Sequence, residues 1–126
     1  MISKKIHLTD GIAASIEVID MGDRITIQFI EEVGDGFEES PCLYSHWGGK
    51  KMVTYVTNFM YRFGHDIKGE GKSPHEVMVM FIMWLNEVNT WEENEALSLY
   101  LFKDEDDCDL SDNGLWVYNL TQMRWE

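Results

Sequence analysis

The spacing of apolar residues changes period twice along this chain, which restricts it to folds that layer helices on a sheet. Over Arg24-Ile25-Thr26-Ile27-Gln28-Phe29 apolar and polar residues alternate strictly, as a strand with one buried face requires. From Lys50 onward Met52, Val53, Val56, Phe59, Met60 and Phe63 recur at helical spacing and mark one face of a helix. Alternation returns at Leu97-Ser98-Leu99-Tyr100-Leu101-Phe102, and residues 115–120 supply a further strand. Strands, then helices, then strands again predict an α+β fold rather than an α/β alternation.

Local signals fill in the rest. Residues 5–9 and 15–19 read as strands about an Asp10-Gly11 turn, and Met21-Gly22-Asp23 turns the chain into residues 24–29, giving a meander with one buried face. Residues 31–40, EEVGDGFEES, are rich in carboxylates and glycine and predict a solvated loop closed by Pro41. Residues 42–46 form a short fourth strand that Gly48-Gly49 breaks. Arg62 and Gly64 predict the end of the first helix, with a loop over residues 65–72. Ser73-Pro74-His75-Glu76 is a helix start, with Ser73 as cap, Pro74 in the first turn and Glu76 completing a capping box. The run VMVMFIMWL that follows is apolar all round, so this helix is buried on most sides or meets a partner, and a homodimer interface stays open. Residues 91–95 read as a polar connection, and Asn113-Gly114 as a turn between the last two strands. The expected architecture is one globular domain over residues 1–126, ordered β-β-β-β-α-α-β-β, with two helices packed on one face of a mainly antiparallel sheet.

Charge bears on partners. The 126 residues carry 23 Asp and Glu against 10 Lys and Arg, a formal net charge of -13. With 44% hydrophobic and 13% aromatic residues this is a folded composition, not the disordered one. Such a field repels nucleic acid and anionic membranes and attracts basic proteins, including those that normally hold nucleic acid. The two cysteines, Cys42 and Cys108, are far apart in sequence and form no CxxC pair, which fits a reduced, cytoplasmic protein. The first ten residues lack the apolar core of a signal peptide, and the apolar run over residues 77–85 is too short to span a bilayer.

The densest mixture of chemistries is LYSHWGGKK, residues 43–51. A strand that ends in Gly48-Gly49 and enters a helix turns backbone N–H groups toward an anion, and Lys50 and Lys51 add positive charge. Tyr44 and His46 share a strand face, with His46 as a candidate catalytic proton-transfer group, while Trp47 can stack on a base or sugar. Tyr44, His46, Trp47, Gly48, Gly49 and Lys50 are therefore the candidate ligand site, against the plainer reading of a glycine joint plugged by Trp47. The stretch resembles a recurring Tyr-x-His-Trp-(Asp or Gly)-Gly element of small uncharacterised prokaryotic and phage proteins; the resemblance implies a prokaryotic or viral origin and no particular chemistry.

Metal signals are sparse. Cys42 and His46 make two ligands where zinc needs four, and His65, His75 and Cys108 lie in unrelated segments. Asp109, Ser111, Asn113 and Gly114 match the first half of a calcium loop, but Leu120 stands where the bidentate Glu belongs. Ser45, Ser73 and Ser111 lack a nucleophile elbow. Two functional readings remain, neither requiring a cofactor. One is a small acidic interaction or inhibitor protein of phage or prokaryotic type that binds a basic or nucleic-acid-binding protein. Its contacts are Asp104, Glu105, Asp106, Asp107 and Asp109, the acidic residues of 31–39, and aromatic anchors such as Trp91 or Trp125. The other is a small-ligand or nucleotide-binding protein, with hydrolysis left open, whose site spans residues 44–49. The absence of a catalytic signature favours the first and leans against an enzyme.

Overall fold

A computed structural model describes residues 4–8, 14–18 and 22–126, the first two stretches as backbone alone. Strands β1 (Lys4–Leu8) and β2 (Ala14–Val18) pair antiparallel in a two-stranded sheet of their own, so the expected three-strand meander does not form. The Asp10-Gly11 turn lies outside the described residues. The main sheet holds β3 (Ile25–Val33), β4 (Gly36–Glu39), β5 (Cys42–Ser45), β6 (Leu99–Phe102), β7 (Leu115–Asn119) and β8 (Arg124–Trp125). Its order is β6-β5-β3-β7-β8, with β4 paired to the far end of β3.

The α+β class holds, with two corrections to its detail. The sheet is mixed, because β7 runs parallel to β3 while the other pairs are antiparallel. Among the described residues three helices, not two, accompany it: α1 (Lys51–Glu70), α2 (Pro74–Val88) and α3 (Trp91–Leu97). The supposed polar connection at residues 91–95 is thus helical, started by a capping box in which Thr90 Oγ1 accepts from Glu93 N and Glu93 Oε1 accepts from Thr90 N. The same device starts α2 through Ser73 and Glu76.

Residues 31–40 are not a loop. Strand β3 continues through them, turns at Gly34-Asp35 and returns as β4, although the pairing sets Glu31 opposite Glu38. Like charges across a ladder oppose pairing, which is why the stretch reads as solvated. Between β4 and β5 the register on β3 steps by one residue at Ser40-Pro41, a bulge suited to a proline that has no N–H to give. Buried Ser40 seals it: its Oγ accepts from Phe29 N, and its carbonyl accepts from the Gln28 amide.

Helix α1 runs past Gly64, which is buried where a Cβ would approach Met123 Cε to 2.7 Å. Gly64 is there for close packing; the helix ends at Gly71, whose left-handed φ of 65° allows its N–H and that of Lys72 to reach the carbonyls of Lys68 and Ile67. The core lies between α1, α2 and one face of the sheet: Ile25, Ile27, Phe29 and Leu43 meet Met52, Val56, Phe59, Val77, Met78, Phe81 and Leu85. Phe59 and Phe81 are edge-to-face at 5.4 Å. Helix α2 buries one side only and leaves Val79 and Met83 exposed.

Candidate functional site

The order of the strands decides how the acidic segment is placed. β6 and β7 both run parallel to β3 but lie on opposite sides of it, so the chain between them cannot be a hairpin. A crossover is required, and residues 103–114 make it as a strap along the sheet face opposite the helices. That face carries Thr26, Gln28, Cys42 and Tyr44, all buried. The Asn113-Gly114 dipeptide therefore ends a strap and does not turn a hairpin.

Three anchors hold the strap. At its far end Arg24 pairs through Nε with Asp109 Oδ2 and through Nη1 with Asp112 Oδ2, both at 3.0 Å. Its backbone N–H also donates to Asp112. Desolvation works against the charge of Arg24, but the hydrogen bond to Asp112 and the two carboxylates outweigh it and raise its pKa. The Asp109 carboxyl is lowered from its ordinary value, first by hydrogen bonds from the Ser111 side chain and backbone. The second anchor is Asn113, whose amide donates to Asp23 Oδ1 and to the Arg24 carbonyl, both at 2.8 Å. In mid-strap Cys108, whose thiol donates to Asp104 O, lies close to Cys42 and Thr26. Burial, then the nearby Cys108, Glu105, Asp104 and Glu39, push the Cys42 thiol up to about 12, so it is a poor nucleophile. The two cysteines, distant in sequence, thus meet across the strap.

These anchors sort the acidic residues into two groups. Asp109 and Asp112, though exposed residues, are paired with Arg24. Asp104, Glu105, Asp106 and Asp107, around the single 3-10 turn Glu105–Asp107, are exposed, and among the described residues none pairs with a cation. Asp104 also caps this turn by accepting from Asp106 N. Of the calcium-loop residues, Asp109 pairs with Arg24 and accepts from the Ser111 hydroxyl, while Asn113 turns its amide donor toward Asp23. Among the described residues no group of three or more His, Cys, Asp or Glu side chains is arranged to hold a metal. Cys42 faces the strap while the His46 ring meets Tyr44 and Trp47.

The residues of LYSHWGGKK do come together, as a packed joint. Tyr44 is buried beneath Tyr100 and Phe102, and its hydroxyl lies 3.0 Å from His46 Nδ1. Trp47 packs edge-on to the His46 ring at 4.9 Å. Gly48 leaves no room for a Cβ, which would stand 2.5 Å from Ser45 Oγ and 2.8 Å from Met52 Cγ. Gly49 takes φ +53° against the Asp23 carboxylate. The backbone donors at the start of α1 are already engaged: Gly48 N with Ser45 Oγ, Gly49 N with Asp23 O, and Lys51, Met52 and Val53 N with the carbonyls of Gly48, Gly49 and Lys50. Lys50 extends over the Trp116 ring at 5.9 Å. Asp23, Ser45 and the carbonyls of residues 48–50 meet these donors from within the chain.

Sequence reasoning passed over a surface depression of about 360 Å³ lined by Asn86, Trp91, Asn94, Glu95, Ser98, Leu99 and Tyr100. It lies where α2, α3 and the start of β6 meet, and Trp91 on its wall is 74% exposed. The capping box at Thr90 and Glu93 was the signal that would have placed Trp91 and Glu95 on a helix. Comparison of the chain with protein-family models, with curated proteins and with solved structures finds no match.

Proposed function

We propose that this protein is a small acidic interaction protein of phage or prokaryotic type that binds a basic or nucleic-acid-binding protein and inhibits it by occupying its nucleic-acid surface. The observation that carries the reading is the fixed display of Asp104, Glu105, Asp106 and Asp107 on an anchored strap, exposed and without a cationic partner among the described residues. A row of carboxylates held in place loses less conformational entropy on binding than a flexible acidic tail does. The surrounding charge of -13 steers a basic surface toward it. Asp109, paired with Arg24, serves to hold the strap.

A competition assay tests this: duplex DNA bound to each of a panel of purified basic DNA-binding proteins is challenged with this chain at increasing salt. At least one DNA complex is expected to be displaced, with potency that falls steeply with salt. Neutralising Asp104, Glu105, Asp106 and Asp107 together to Asn or Gln is expected to abolish displacement, although most of the chain's negative charge remains. Undiminished displacement by that variant would refute the reading.

A further inference from the structure

Strand β6, Leu99–Phe102, is an edge strand of the main sheet, paired among the described residues with β5 on one side only. Its register and the bond from His46 N to Ser98 O make Tyr44 with Tyr100, and Cys42 with Phe102, the hydrogen-bonded pairs. The N–H and C=O groups of Leu99 and Leu101 therefore point away from β5, toward the free edge. Edge strands are usually guarded by charge, proline or a bulge. The sequence LYLF has none of these within it, and Lys103 stands just beyond its end. Tyr100 and Leu101 are more than half exposed.

The surroundings of this edge are anionic and aromatic. At the C-terminal end of β6 the strap begins with Asp104, Glu105, Asp106 and Asp107, all exposed. At the N-terminal end lies the depression of Trp91, Glu95, Asn94 and Tyr100, a carboxylate beside two exposed aromatic rings. An indole or phenol face with a nearby carboxylate suits a guanidinium or ammonium group. Among the described residues no Lys or Arg lines that depression.

We infer that the free edge of β6 is a docking site for an extended, basic segment of a partner protein, which adds to the sheet as a strand beside Leu99 and Leu101. One basic side chain of that segment enters the depression at Trp91, Tyr100 and Glu95, and others lie against Asp104, Glu105, Asp106 and Asp107. Backbone pairing supplies affinity without regard to sequence, while the charges at both ends select a cationic segment. The inference rests on the reading of the acidic strap as a partner-binding surface, and adds the strand geometry and the cation site.

The test uses the full chain and a synthetic peptide of about eight residues, an ordinary strand length, alternating Arg or Lys with Val or Thr. A second peptide of identical charge carries N-methyl groups on alternate backbone amides and cannot pair as a strand. The first peptide is expected to bind and to slow hydrogen exchange at the amides of Leu99 and Leu101. The N-methylated peptide is expected to bind about tenfold or more weakly. Leu101→Pro removes an outward N–H without removing a bond to β5 and is expected to weaken the first peptide similarly, with its thermal unfolding checked in parallel. Trp91→Ala, at an exposed position, keeps the test independent of that variant's folding and is expected to lower affinity severalfold. Equal affinity for the two peptides, or no binding of the first, overturns edge docking. The acidic reading is judged separately by the DNA competition, so equal peptide binding alongside displacement that is lost on neutralising the strap would remove the strand geometry alone.

Discussion

Ser45 offers the sharpest test of the strand-to-helix joint. Its side chain is fully buried, and its Oγ donates to Leu97 O at 2.7 Å while accepting from Gly48 N at 2.8 Å. One hydroxyl therefore ties β5 to the turn before α1 and to the end of α3. In Ser45→Ala the Gly48 N–H loses its acceptor inside the protein, a desolvation loss of about 1–3 kcal/mol. Leu97 O keeps a longer bond from Trp47 N at 3.3 Å, so its loss is smaller, about 0.5–1 kcal/mol. Together about 1.5–4 kcal/mol of stability should disappear in urea unfolding. At roughly 4 °C per kcal/mol for a domain of this size, Tm should fall by about 6–16 °C. Gly48→Ala should also destabilise, because its Cβ would meet both Ser45 Oγ and Met52. The double variant should lose less than the sum, since removing the hydroxyl relieves one of those contacts. A loss below about 0.5 kcal/mol for Ser45→Ala, with an unchanged m value, would mean that water reaches the Gly48 N–H, and the sealed joint would be refuted.

Other consequences concern the strap and the joint. Arg24→Gln leaves Asp109 and Asp112 without their guanidinium, so residues 103–114 should become more protease-sensitive and the Cys108 thiol faster to react with a disulfide reagent; unchanged rates would contradict the anchoring. Because the Asp109 carboxyl is lowered in the folded state, its contribution is complete above the unfolded value of about 3.9 and is lost as pH falls through the lower folded value. Hydrogen-exchange protection of the strap should thus decline below about pH 4, and Asp109→Asn should lack that part of the acid dependence. Phosphate and nucleotides should leave Tm unchanged, since Asp23 and the local carbonyls already engage the start of α1; a stabilising shift that vanishes in His46→Ala and Lys50→Ala would restore the ligand reading.

Much of the fold was legible because its signals are local. Alternation in residues 24–29 and 97–102, the helical spacing from Met52 to Phe63 and the Ser73 capping box each involve neighbours in the chain, and each element formed, although Leu97 and Ser98 ended α3 and left the strand to Leu99–Phe102. The missed helix α3 had a local signal too, Thr90 with Glu93, outweighed by the polarity of WEEN. The hairpin of β3 and β4 was hidden for a different reason: Glu31 opposite Glu38 is unfavourable locally and persists only because β3 is held by β5 and β7.

The candidate site divides along the same line. By itself the amino-acid order determined an acidic, aromatic-rich α+β chain with a glycine joint at residues 48 and 49, since charge and periodicity are properties of residues and their near neighbours. Only the tertiary structure decided that β7 joins β3 in parallel, because strand order is set by contacts between segments far apart in sequence. That one pairing forces residues 103–114 across the sheet, brings Cys108 to Cys42 and Asp109 to Arg24, and leaves Asp104, Glu105, Asp106 and Asp107 facing outward beside an unguarded edge.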